Sequence, residues 1–170
     1  VKLGLGWPEN PFDTGHKWDL DVSLFGLGAN GKIIDDAHFI YYNQKQTPNG
    51  SIVHSGDNTV GNTAGDDETI LVDLALLDPK VTELSVIVTI HDAANRGQKF
   101  GQIPGCHINL YDAATGEKKS GYDLEDDFTE ETAVQFGSLF KKDGAWLFKA
   151  VGQGFKKGLQ DFVDIYTVPA

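Results

Sequence analysis

Apolar and polar positions alternate with period two along most of the chain. In WDLDVSLF, Leu20, Val22 and Leu24 fall on one side, and Asp19, Asp21 and Ser23 on the other. In ELSVIVTIH, Val86, Val88 and Ile90 alternate with Ser85, Ile87, Thr89 and His91; apolar content on both faces predicts a central strand. HFIYYN (38–43), SIVHS (51–55) and ETILVDL (68–74) read as further strands. Asn30-Gly31, Asn49-Gly50 and Asp143-Gly144 separate strand-like runs and adopt positive φ readily, as two-residue hairpin turns require. TAVQFGSLFKKDGAWLFKAVG (132–152) predicts a hairpin about Asp143-Gly144, and HINLYDAATGEKKSGYDL (107–124) another about Thr115-Gly116. GLQDFVDIYT (158–167) spaces Leu159, Phe162, Val163 and Tyr166 as one face of a short helix. The pattern predicts an all-β domain, a β-sandwich of two antiparallel sheets with short helical elements, one of them near the C-terminus.

Length allows one such domain and no comfortable second: the chain has 170 residues, 40 % of them hydrophobic. The 25 acids against 14 bases give a net charge of −11, which argues against a phosphate backbone as partner and favours a cation or a basic surface. Cys106 stands alone, so no intrachain disulfide forms; it fits a reducing, cytoplasmic compartment and a buried apolar role. The longest apolar run, VIVTI (86–90), is far short of the roughly 20 residues a bilayer requires. The start on Val1 and the lack of methionine suggest a trimmed beginning.

Oxygen donors concentrate in two places. On an extended strand Asp19 and Asp21 share a face with Cα atoms about 6.6 Å apart, where two carboxylates repel unless a cation joins them. GDNTVGNTAGDDE (56–68) adds Asp57, Asn58, Asp66, Asp67 and Glu68, with Gly56, Gly61 and Gly65 letting the backbone bend. Ca²⁺ accepts irregular cages of six to eight such oxygens. A solvated acidic loop would share the composition; the bracketing glycines and the second carboxylate pair favour a metal site. The fixed spacing of an EF-hand is absent, and one cysteine with scattered histidines supplies no zinc-type cluster. Asp92, at the end of a central strand, either reaches an ion from a neighbouring loop or caps a turn. His54, Ser55 and Asp57 stand too close together for a hydrolytic triad. LEDDFTEE (124–131) reads as a solvated connection and GQGFKKG (152–158) as a turn.

These residues together carry a resemblance. GLGW (4–7), WDLDVSLFGLG (18–28), FIYYNQ (39–44), GSIVHSGDN (50–58), GDDE (65–68), VIVTIHDA (86–93), RGQKFGQI (96–103), TGEKKSGYDL (115–124), ETAVQFGSLF (131–140) and AVGQG (150–154) resemble, in number and order, the TerD family of bacterial tellurite-resistance and general stress proteins. The resemblance implies a β-sandwich similar in outline to calcium-dependent membrane-binding modules. It implies one or two Ca²⁺ ions held by Asp19, Asp21, Asp57, Asn58, Asp66, Asp67 and Glu68, with main-chain oxygen near Gly65. It further implies a non-enzymatic stress protein of the cytoplasm, acting through a calcium-dependent surface on protein partners such as other tellurium-resistance proteins near the membrane. The alternative is a calcium-dependent module for a glycan or membrane headgroup, with Trp7, Trp18 and Trp146 as platforms. Asn62, Thr63 and Ala64 depart from the family's loop, and His38 stands where an aspartate is common, so the second ion is the one in question. The family's strand ahead of GLGW is missing, which would leave an exposed sheet edge.

Overall fold

The alternating segments pair into two five-stranded antiparallel sheets in a computed structural model that describes residues 1–10, 16–56, 61 and 66–167. The strands are β1 (Lys2–Gly6), β2 (Leu20–Leu27), β3 (Phe39–Ile40), β4 (Ile52–His54), β5 (Glu68–Val72), β6 (Glu83–Ile90), β7 (His107–Tyr111), β8 (Lys118–Asp123), β9 (Ala133–Lys142) and β10 (Ala145–Phe155). The first sheet runs β4-β5-β1-β7-β8 and the second β10-β9-β6-β2-β3. The strand predicted to be central, β6, is flanked by β9 and β2.

Alternation decides which side chains meet between the sheets. Leu3 and Leu5 of β1, Leu20, Val22 and Leu24 of β2, Ile70 and Val72 of β5, and Val86 and Val88 of β6 form one buried layer. Trp7, Trp18 and Cys106 join it, each at most 5 % exposed. A smaller core lies on the outside of the second sheet. There Phe25, Leu27, Ile87 and Ala133 are covered by α3 (Leu159–Thr167) through Phe162, with Leu159, Val163 and Tyr166 beside it. Two further short helices, α1 (Ala93–Arg96) and α2 (Leu124–Asp127), sit at strand exits.

The turns follow the chemistry of their residues. Asp143 and Gly144 both have positive φ, 52° and 78°, between Lys142 and Ala145 of the β9–β10 hairpin. Three expectations need correction. GQGFKKG is not a turn throughout: residues 152–155 complete β10, because a bulge after Ala150 restores pairing of Gln153, Gly154 and Phe155 with Gln135, Val134 and Ala133. HFIYYN supplies only the two-residue β3, because Tyr41 and Gln44 close a backbone turn and Phe39 and Tyr41 stack at 4.3 Å instead of extending. LEDDFTEE is not simply a solvated connection: it forms α2 and sinks Leu124 and Phe128, an i,i+4 apolar pair, into the core.

Candidate functional site

At one end of the sandwich the start of β5 meets the start of β2. Because β3 is so short, the amide of Val22 lies on an edge of β2 that no strand covers, and Glu68 Oε1 accepts from it at 3.4 Å across the sheets. Alternation aims Glu68 inward with Ile70 and Val72, so its carboxylate is wholly buried. His54 Nε2 lies 3.3 Å from Glu68 Oε1. The amide of Gly56 donates to His54 Nδ1 at 2.9 Å, which leaves the ring proton on Nε2, the side that faces Glu68.

The three consecutive acids point three ways. Asp67 Oδ2 accepts from the Trp7 amide at 2.8 Å, tying the loop end to β1. Asp66 instead lies on the outer face of the first sheet, over Gly4, whose missing Cβ makes the room. There His107 Nε2 is 3.0 Å from Asp66 Oδ1, Tyr111 Oη donates to the same oxygen at 3.4 Å, and Lys2 Nζ is 3.9 Å from Oδ2. Burial, more than the neighbouring Asp66 charge, pushes the Tyr111 phenol above its ordinary value.

Asp19 and Asp21 are buried, 8 % and 3 % exposed. Asp21 faces the outside of the second sheet, in a cleft of about 640 Å³ lined also by Tyr42, His91, Asp92, Lys156 and Lys157. Asp92 has φ 52° at the start of α1, and its Oδ1 accepts from Asn95 Nδ2 at 2.8 Å. Asp57, Asn58 and Gly65, together with Asn62, Thr63 and Ala64, lie outside the described residues. Among the described residues no three His, Cys, Asp or Glu side chains converge on one point. What the described part holds is a set of hard oxygen donors around the loop, several of them buried where an isolated charge is costly. That donor chemistry fits Ca²⁺ and does not fit a soft metal.

The TerD domain family model matches residues 1–166. The chain belongs to the TerD family. General stress protein 16U of Bacillus subtilis (strain 168) is 44 % identical over 159 residues, covering 94 % of this chain and 82 % of that protein. Tellurium resistance protein TerD of Alcaligenes sp. is 42 % identical over 170 residues, covering 100 % and 88 %. The crystal structure of a homologue of telluride resistance protein (TerD) from Streptomyces coelicolor A3(2) superposes with a TM-score of 0.83 at 21 % identity, covering 99 % of this chain and 97 % of that one, a likeness of fold.

This TerD-family chain carries two features that its acidic residues did not announce. One is the His107, Asn109 and Tyr111 row, legible only as the polar side of β7 opposite Ile108 and Leu110. The other is His54, which shares the buried side of β4 with Ile52. His38 is buried against Gly26, and its Nδ1 lies 2.6 Å from Asp35 Oδ1; that hydrogen bond is the main cause holding the Asp35 carboxyl below its usual value. Trp7 and Trp18 are core residues, linked by Trp7 Nε1 donating to the Trp18 carbonyl at 2.7 Å, and Trp146 packs partly on the same core. Two of the three candidate ligand platforms are thereby occupied by packing.

Proposed function

We propose that this TerD-family protein is a non-enzymatic calcium-binding stress protein of the tellurium-resistance type. What supports this reading is the burial of Asp19 and Asp21 at the end of the sandwich where β5 begins, with Asp21 on the outer face of the second sheet and Glu68 turned inward between the sheets. Asp19, Asp21, Asp67 and Glu68, with Asp57, Asn58 and the Gly65 carbonyl from the intervening loop, would supply the oxygens for one or two ions. When bound, calcium supplies positive charge that relieves carboxylate repulsion and fixes the loop. Asp67 ties the loop end to β1 through the Trp7 amide, and Glu68 seals the open edge of β2. The ion-ordered loop is the surface offered to a protein partner in the cytoplasm. Asp66 serves structure in this reading, since it lies on the outer face of the first sheet against His107 and Tyr111, and Asp92 holds the start of α1 through Asn95.

Binding only the folded state stabilises it by about 2.7 kcal/mol at a hundredfold excess of ion over Kd. Added Ca²⁺ is therefore expected to raise the melting temperature and EDTA to lower it, with Mg²⁺ much weaker because it resists irregular cages. Calorimetry on Asp19→Ala, Asp21→Ala and Asp67→Ala checks the assignment, with weakened calcium binding expected in each. Thermal unfolding indifferent to Ca²⁺ and EDTA alike would overturn it.

A further inference from the structure

Neighbouring strands are antiparallel, so each end of the sandwich gathers turns from both sheets. Tyr122 of β8 packs on Phe136 of β9 with ring centroids 5.7 Å apart. Phe128 and Glu131, which follow α2, pack against Gly154 near the end of β10. The exit of β8 and the start of β9 therefore share the acidic end of the molecule. The start of β8 and the β9–β10 turn then share the opposite end. There the two neighbouring hairpins expose Lys118, Lys119, Lys141 and Lys142 beside Glu117 and Asp143, with Lys149 farther along β10 opposite Ser138. Among the described residues only Lys119 of these five lysines forms an ion pair, with Glu117 at 2.8 Å.

Apolar side chains accompany the lysines. Leu147 is 45 % exposed and pairs across the hairpin with the half-buried Phe140, while Trp146 pairs with Lys141. The ten residues of β9 span roughly 30 Å at about 3.3 Å each, several times the Debye length of about 8 Å at physiological salt. The acidic end is thus screened from the lysine end despite the net charge of −11. Lysines on a hairpin that also exposes a leucine match the boundary of a bilayer, where the apolar stem settles and the charged head stays in water. A nucleic acid matches less well: its phosphates leave Leu147 exposed, and none of the five cations is an arginine.

We propose that this end of the sandwich docks on a bilayer surface carrying anionic headgroups, and that it does so without calcium. The inference stands apart from the calcium reading, whose residues lie at the other end. The test is co-sedimentation in EDTA with vesicles of phosphatidylcholine alone or mixed with phosphatidylglycerol. The expected result is partition onto the anionic vesicles only, declining with added salt. Each lysine near an anionic surface is worth about fivefold, so Lys142→Glu/Lys149→Glu lowers the partition coefficient about tenfold or more. Lys118→Glu/Lys119→Glu on the other hairpin and Leu147→Asp lower it as well, with melting temperatures confirming that each variant folds. Absent or neutral-vesicle binding, or unchanged binding by the charge-reversed variants, overturns the proposal. So does a strict requirement for Ca²⁺, which moves the contact to the acidic end. Capture of a short RNA without vesicle binding overturns it in favour of a nucleic-acid partner.

Discussion

Gly4 and Asp66 occupy one space. A methyl group on Gly4 would fall onto the Asp66 carboxylate, which His107 and Tyr111 hold in place. Gly4→Ala is expected to cost about 1–3 kcal/mol in denaturant unfolding. In Gly4→Ala/Asp66→Ala the clash partner is gone, so the two costs will not add, and a double-mutant cycle reads the difference. Additive costs would mean that the strain lies elsewhere. A less forgiving case is Gly137 of β9, where a Cβ would meet the Lys149 carbonyl at 2.6 Å and the Phe148 ring at 2.6–2.7 Å. Backbone cannot yield as a carboxylate can, so Gly137→Ala is expected to be the more damaging substitution by the same measurement. At this scale the sequence told which residues are acidic and not where they point. The run Asp66-Asp67-Glu68 reads as one cluster, yet a strand that begins at Glu68 sends its inward face to the core while the two preceding residues turn outward onto β1.

The element most legible from spacing was α3. Leu159, Phe162, Val163 and Tyr166 do form its buried side, because a helix of this length must hide that stripe against something and the outer side of the second sheet offers Phe25 and Ile87. Phe162→Ala removes the central anchor, 2 % exposed, and is expected to cost about 3–5 kcal/mol, measured by urea unfolding. Tyr166 ties the other end, its Oη 2.8 Å from Ser85 Oγ. Burial raises its phenol above the ordinary value of 10.0, outweighing the Ser85 hydrogen bond that lowers it. A raised folded value means that the folded state retains the proton longer. Its stability contribution is whole below pH 10 and is lost as pH climbs through the folded value. Tyr166→Phe should therefore flatten the alkaline limb of a stability-against-pH curve. β3 is shorter than its sequence pattern suggests for a related reason: Phe39 and Tyr41 look like strand residues, but their rings stack on each other, and Phe39 also on Phe25, where a strand would have continued.

Across the whole molecule, the two-sheet architecture was legible because alternation and Asn-Gly or Asp-Gly turns recur along its length. The candidate site was legible only in part, since Asp57, Asn58 and Gly65 belong to no periodic element that would aim them. The sandwich nonetheless sorts charge along its axis. Asp19, Asp21, Asp67 and Glu68 share one end with Asp123, Asp126 and Asp127 of the β8–α2 exit, and the exposed hairpin lysines take the other. This sorting bears on time as well as affinity. On the proposed calcium reading, the excess of acids at the end with Asp19 and Asp21 over Lys156, Lys157 and their basic neighbours draws cations in before any of them is bound, so the rate of capture should be high in dilute salt and fall as ionic strength rises. The rate of release depends on the contacts made and should scarcely change. Stopped-flow mixing with a calcium chelator or with Ca²⁺ at two ionic strengths would read the two rates separately, and on the proposed reading only the rate of capture responds to salt.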